Sequence, residues 1–260
     1  MGSAHRGNWA ARPRRFFSEG ELRAGERILT GQTARHMGAV LRLGSGDRIV
    51  LFDGSGREFP AEITSVSRQR VQVVLGDGVP VDRESPLRLR LAIGLSQPRA
   101  MDLVVEKATE LGVAEIVPME TERSQGWLGE GRGKDRRVRW ESIAREAARQ
   151  CGRNRFPRVR PMAEFSQVVD QEAPGALRLI FWEQETEQGL KHALTGRPHV
   201  SEIQALIGPE GGFSSAEMAG ALAAGFQIVS LGPRILRTET AAIAVVSLLQ
   251  YEMGDLGVVR

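Results

Sequence analysis

The chain has little of several things, and each scarcity excludes a class of function. A single cysteine, Cys151, cannot form an internal disulfide framework or a multi-cysteine zinc site, and His5, His36, His192 and His199 show no metal-ligand spacing. No structural metal is therefore expected. Long apolar runs are missing: the longest, around residues 241–249, falls far short of the roughly 20 residues that span a bilayer. The N-terminal Met1-Gly-Ser-Ala-His-Arg-Gly-Asn-Trp9 lacks the apolar core of a signal peptide, and Arg6 stands where a myristoylation site needs Ser or Thr. These absences lead us to expect a cytoplasmic protein without a membrane segment. Neither a P-loop nor a Gly-x-Gly-x-x-Gly dinucleotide fingerprint occurs, which demotes ATP and NAD as ligands.

What is present is basic and unevenly spread. With 260 residues, 41% hydrophobic and 26% charged, the chain is long enough for two compact domains or one large one. Its formal charge is only +3, yet residues 132–160 hold 11 Arg or Lys against 3 acids, so that stretch carries +8 and the remainder −5. The first 17 residues add Arg6, Arg12, Arg14 and Arg15 with no acid. Two such segments point to a polyanion, of which nucleic acid is the commonest, or else to a solvated charged face and a disordered arm. The polyanion reading implies steeply salt-sensitive binding.

Residues 14–82 alternate short β-like runs with glycine turns, as in Arg48-Ile-Val-Leu-Phe52, Asp53-Gly-Ser-Gly56 and Val71-Gln-Val-Val-Leu75, and read as a small β-barrel or sandwich. Pro80-Val-Asp-Arg-Glu-Ser-Pro86 reads as a linker. Beyond it Leu87, Leu89, Leu91, Ile93 and Leu95 alternate as a strand, Met101, Val104, Val105, Ala108 and Leu111 recur at helical spacing, and Gly112 ends the run. Further strands are predicted at residues 114–118, 177–182, 203–207 and 226–231, with a basic helix at about residues 138–150. Strands alternating with helices indicate an α/β domain with a mostly parallel sheet, residues 87–254. Ser214 and Glu217 have capping-box spacing, Gly225 closes the helix they start, and Thr238 or Thr240 can cap a last helix whose face is Ala242, Val245, Val246 and Leu249.

Two glycine-bearing segments carry the chemistry. Leu206-Ile-Gly-Pro-Glu-Gly-Gly-Phe213 and Leu231-Gly-Pro-Arg-Ile-Leu-Arg-Thr-Glu-Thr-Ala241 each follow an apolar run and open into a helical pattern. Glycine lets backbone approach a ligand, and open α/β sheets bind ligands beyond the carboxyl ends of strands. Taken alone, residues 208–212 are equally a tight strand-to-helix turn. Gly129, Gly131 and Gly133 follow a polar stretch and read as a loop beside the basic helix.

The pair of segments closely resembles the signature of the RsmE family, the 16S ribosomal RNA uridine N3-methyltransferases of the SPOUT superfamily. Lys107-Ala-Thr-Glu-Leu-Gly112, residues 146–153, His36 with Val40-Leu-Arg-Leu43, and Gly46-Asp-Arg-Ile-Val-Leu-Phe-Asp-Gly54 agree, so the resemblance covers Arg14 to about Gly254. It implies an N-terminal PUA-like RNA-binding β-barrel, then an α/β SPOUT methyltransferase domain with a C-terminal trefoil knot, a rare departure from ordinary connectivity. It further implies that the knot binds S-adenosyl-L-methionine (SAM), that two subunits pair near the active sites as a homodimer, and that the substrate is 16S rRNA, free or in the 30S ribosomal subunit, at the m3U1498 site. By position the cofactor would meet Phe181, Trp182 and Glu183, then Leu206, Ile207, Gly208, Pro209, Glu210, Gly211 and Gly212, then Leu231, Gly232, Ile235, Leu236, Arg237, Thr240 and Ala241. A methyltransferase of another RNA site and a non-catalytic ribosome-assembly factor are the competing readings.

Methylating uracil N3 requires that nitrogen to lose a proton and attack the methyl group in line, so orientation and charge placement dominate and no protein nucleophile is needed. Cys151, among arginines, is either an activated thiol or an inert one. Arg237 is a candidate donor to a uracil oxygen, or a salt-bridge partner of Glu210 or Glu239. Either carboxylate is a candidate acceptor of the N3 proton, or a helix-terminus charge. For RNA contact the candidates are Arg14, Arg15 and Arg42, then Arg145, Arg149, Arg153 and Arg155, with 145 and 149 sharing a helix face. Phe16, Phe17 and Trp127 are either base-stacking groups or packing.

Overall fold

The computed structural model describes residues 13–124, 132–197 and 200–258, with backbone alone at 132–134. The leader through Arg12, and the stretch holding Trp127, Gly129 and Gly131, lie outside the described residues. Two compact units form: one runs up to Arg83 and takes in Gly152–Arg155, and the other comprises Glu84–Cys151 and the chain from Phe156 onward. Among the described residues no helix is long and apolar enough to cross a membrane.

The first unit contains β1 (Arg14–Phe17), β2 (Gly25–Thr30), a short α1 (Gly31–Arg35) continued by a wider turn over His36–Val40, β3 (Arg48–Phe52), β4 (Arg57–Val66), β5 (Arg70–Leu75) and β6 (Val79–Pro80). Its strands order as β1-β3-β4-β5-β2, with β6 paired to β4. Period-two alternation sends Val71, Val73 and Leu75 of β5 inward, where they meet Phe59 and Ile63 of β4 and Leu51 of β3. A bulge between Ile63 and Ser65 shifts the register of β4 on β5.

The Gly152–Arg155 segment is held in this unit by charge. Glu58 accepts from Arg15 at 3.1 Å and from Arg83 at 2.7 Å, and those same arginines donate to the carbonyls of Arg153 and Gly152 at 2.9 and 2.6 Å. Asn154 donates to the Val81 carbonyl at 3.1 Å and accepts from Arg15. Burial pushes the Glu58 carboxyl up, but Arg83 and Arg15 outweigh it and hold the group below its ordinary range.

The second unit runs β7 (Arg88–Gly94), α2 (Pro98–Glu110), β8 (Glu115–Glu120), α3 (Arg132–Cys151), β9 (Arg158–Val159), β10 (Ala163–Glu164), α4 (Phe165–Val169), β11 (Leu177–Phe181), α5 (Leu190–Leu194), β12 (Glu202–Ile207), α6 (Ser215–Ala223), β13 (Gln227–Val229) and α7 (Thr238–Met253). Its sheet is parallel throughout, ordered β10-β8-β7-β12-β11-β13 with β9 on β8. Both faces are covered: Leu89, Leu91 and Ile93 of β7 join the core under α2 and α7, while Ala92 joins the core with Phe165, Met218 and Phe226. Pro98 opens α2, whose buried face is Met101, Val104, Val105 and Ala108, and Gly112 at φ +86° follows its end.

Three local expectations change. The basic helix begins earlier, at Arg132, because its first half is stabilised by charge rather than by an apolar stripe: Arg137 pairs with Glu141 at 2.9 Å and Arg139 forks onto Asp102 of α2 at 2.6–3.1 Å. The strand expected at 226–231 shortens to Gln227–Val229, since the Ser230 amide turns away to the Gln188 carbonyl at 2.8 Å. The cap of α7 is Arg237, with no side-chain cap bond, and Thr238 is already helical. From Ser230, bridged to Gly189, the chain runs on to α7, which packs on α2, β7 and β12.

Candidate functional site

Adjacent parallel strands β12, β11 and β13 end at one edge of the sheet, and the loops leaving them converge on an open cleft of about 510 Å³. From β11 come Phe181, Trp182 and Glu183; from β12 come Ile207, Gly208, Pro209 and Gly212. The return segment supplies Leu231, Gly232, Arg234 and Leu236, and α7 supplies Thr238 and Ala241. The walls are mostly apolar, with one carboxylate, Glu183, and one guanidinium, Arg234, both exposed. Among the described residues the Trp182 indole nitrogen is buried without an acceptor.

Glycine is needed here for more than one reason. A Cβ on Gly94, the last residue of β7, would lie 2.5 Å from Pro209 Cδ and N, so glycine is what lets the 208–209 loop cross the strand end. Gly212 has φ +67°, and a Cβ there would meet Glu183 Oε1 at 2.6 Å. Gly232, at φ +98°, differs: its missing Cβ would meet nothing within 4 Å, while its amide donates to the Ser230 hydroxyl at 3.2 Å. The capping box forms as the spacing predicts, with Ser214 and Glu217 bonding each other's amides at 3.2 and 2.8 Å.

Of the residues proposed from sequence for the cofactor, six do not line the cleft. Leu206 is fully buried in the core beneath it. Glu210 turns outward and accepts the Gln97 amide at 3.1 Å, and the Gly211 carbonyl accepts from Arg123 at 3.1 Å. Ile235 is 85% exposed, and Arg237 and Thr240 are exposed beside Leu236 and Ala241. Arg234 and Thr238 are the cleft residues that sequence reasoning passed over. Arg234 belongs to the Gly-Pro-Arg motif that follows Leu231, and Thr238 opens α7.

Among the candidate catalytic groups, Arg237 forms no ion pair with Glu210 or Glu239 among the described residues; its carbonyl accepts the Ala241 amide at 2.8 Å. Glu239 is half-buried in the first turn of α7. The arginines proposed for RNA separate by environment. Arg14 and Arg42 are exposed, Arg14 donating to the Leu41 carbonyl at 3.2 Å, and Arg42 is the one described non-glycine residue with positive φ, 52°. Arg15 lies over the Phe52 ring at 4.6 Å and is committed to Glu58, while Arg153 is buried. Arg155 is exposed beside Gly56, Arg145 is half-buried on α3, and Arg149 is paired with Glu146 at 2.9 Å. Phe16 is core, and Phe17 packs edge-on to Phe52 at 5.8 Å. Cys151 is a half-buried free thiol directed at the Ala148 carbonyl, 3.7 Å away.

Comparison with known proteins gives the same division. A family model described as an RNA methyltransferase domain matches residues 83–250, and one described as an RNA methyltransferase PUA domain matches residues 29–76. Ribosomal RNA small subunit methyltransferase E of Bacillus subtilis is 32% identical over 228 residues, 86% of this chain and 89% of that one. A methyltransferase of Legionella pneumophila, solved with bound SAM, superposes with a TM-score of 0.87 at 37% identity, covering 94% of this chain and all of that one. The Neisseria gonorrhoeae ribosomal RNA small subunit methyltransferase E, bound to S-adenosyl methionine, gives 0.85 at 33% identity over 94% of this chain and 100% of that one. Two-domain layout, cleft and sequence agree, and the chain belongs to the ribosomal RNA small subunit methyltransferase E family.

Proposed function

We propose that this protein transfers a methyl group from SAM to N3 of a uridine in 16S ribosomal RNA, the m3U1498 position, within the assembled 30S subunit. The observation that carries the reading is the cleft at the ends of β12, β11 and β13. Phe181, Ile207, Leu231 and Leu236 offer the apolar surface that an adenosyl group needs, and the exposed Gly232 backbone carbonyl offers a polar contact. Glu183 and Arg234 present one charge of each sign, which suits the ammonium and carboxylate of a methionyl end. When bound, the cofactor supplies a methyl group made electrophilic by its sulfonium.

The chain's own work is to orient the uracil and manage its proton. Arg237, unpaired with either neighbouring carboxylate, donates to a uracil oxygen and favours the N3 anion. Because Glu210 is engaged by the Gln97 amide, Glu239 is the better-placed acceptor for the N3 proton. RNA capture falls to the PUA-like unit, where Arg14, Arg42 and Arg155 are exposed, with Arg145 and Arg149 contributing from α3. A homodimer would cover Ile235 beside the cleft, and Leu103, Leu248 and Tyr251 on the packed pair α2 and α7, all of which are exposed. A ribosomal substrate supports a cytoplasmic site of action.

Calorimetry with SAM separates an enzyme from a binding factor that has kept only the fold. Saturable one-to-one binding per chain is expected. A flat titration against protein that still binds 16S RNA would favour the assembly factor.

A further inference from the structure

We propose that Arg123 is a positioning residue for the cofactor loop, held in place by Glu217; this rests on the reading of residues 208–212 as part of the SAM site. The geometry begins with a buried carboxylate that does more than cap a helix. Glu217 Oε2 accepts the Ser214 amide at 2.8 Å, completing the capping box at the start of α6, and its other oxygen accepts the Glu122 amide at 2.9 Å. One carboxylate thus ties the turn leaving β8 to the segment that follows the glycine loop. That turn is also bonded within itself: Ser124 donates its amide to the Thr121 carbonyl at 3.0 Å, and its hydroxyl accepts the Thr121 amide at 3.1 Å.

Arg123 stands in the middle of this fixed turn, and Nη1 of its guanidinium donates to the Gly211 carbonyl at 3.1 Å. The approach is close enough to exclude any side chain at 211, since a Cβ there would lie 2.9 Å from Arg123 Cβ and 3.2 Å from its carbonyl oxygen. Gly211 therefore serves to admit Arg123 rather than a ligand. On the far side, Glu210 is fastened to the Gln97 amide at the start of α2. The middle of the loop is held outward by two other strand-to-helix connections, so that Gly208 and Gly212 on either side of it face the cleft.

Pre-ordering a loop strengthens binding by removing the cost of ordering it on contact, and a guanidinium on a carbonyl is a strong way to do so. Without Arg123 the 211–212 peptide keeps only the bond from the Gly212 amide to the Pro209 carbonyl at 2.9 Å, and SAM must select among the arrangements this looser tether allows. The signature of such a residue lies in cofactor affinity, not in the chemical step.

The test compares the full-length protein with Arg123→Ala, Arg123→Lys and Glu217→Gln, using SAM calorimetry, steady-state methylation of 30S subunits and thermal melting, with Arg137→Ala on the exposed face of α3 as a control. For Arg123→Ala we expect the SAM Kd and KM to rise roughly ten-fold while kcat at saturating SAM and the melting temperature stay near the starting values. Arg123→Lys should recover part of the affinity, and Glu217→Gln, which leaves one amide without its acceptor, should show the same KM effect. If the unaltered protein binds SAM and Arg123→Ala binds it equally well, the proposal fails while the SAM reading stands. If the unaltered protein does not bind SAM, both fail. Should Arg123→Ala melt far below the starting protein, the lysine variant decides: full folding with unchanged SAM affinity in Arg123→Lys and in Glu217→Gln would also overturn the assignment.

Discussion

Replacing Arg237 by alanine is expected to cut methyl transfer by roughly 10²- to 10³-fold while SAM binds nearly as before, since a preorganised donor aimed at developing charge contributes on that scale. Arg237 is the N-cap of α7, contributes no side-chain cap bond, and does not line the cleft, so truncating it leaves the cofactor walls and the helix start in place. Its nearest charged neighbours in sequence form no ion pair with it among the described residues, so alanine exposes no buried carboxylate. A loss of turnover with unchanged SAM affinity therefore speaks for a role at the uracil. Near-normal turnover in Arg237→Ala would remove the residue from the mechanism.

A second large effect is expected at a position that touches neither ligand. Gly94→Ala places a methyl group 2.5 Å from backbone N and ring Cδ of Pro209 and 2.9 Å from the Gly208 carbonyl carbon. These are backbone and ring atoms and cannot swing aside as a flexible side chain would. Overpacking of this kind costs about 1–3 kcal/mol, and here the strain falls on the loop that carries Gly208 and Pro209 into the cleft. Loss of SAM binding and of activity together is expected, with a lowered melting temperature, in contrast to the activity-only loss at Arg237. Melting curves and SAM calorimetry on the same preparation check it; unchanged SAM affinity in a fully folded Gly94→Ala would mean that the loop does not shape the site.

The contrast between these two residues marks how far the sequence could be read. The parallel sheet was legible because Leu89, Leu91 and Ile93 alternate with a short apolar period, and α2 because Met101, Val104, Val105 and Ala108 repeat at helical spacing up to a glycine. The cleft was legible as two glycine segments after apolar runs. Which glycine served which purpose was not, because that depends on contacts between distant segments: Gly94 against Pro209, Gly211 against Arg123, Gly212 against Glu183. Nor could charge density tell an RNA-facing arginine from one held inside the fold. Arg15 and Arg153 lie in strongly basic stretches, yet one is stacked on Phe52 and bonded to Glu58 and the other is buried. The early start of α3 escaped for a related reason, since pairs such as Arg137 with Glu141 stabilise a helix without leaving an apolar period.

The central claim is a methyl group on N3 of one uridine, and nucleoside mass spectrometry reads that product directly. Small-subunit RNA from cells lacking the gene should carry unmethylated uridine at the target position, and incubating their 30S subunits with the purified protein and SAM should restore 3-methyluridine at that one site. A methylation map that is the same with and without the gene, or methyl transfer by the purified protein to a different nucleotide, would contradict the account.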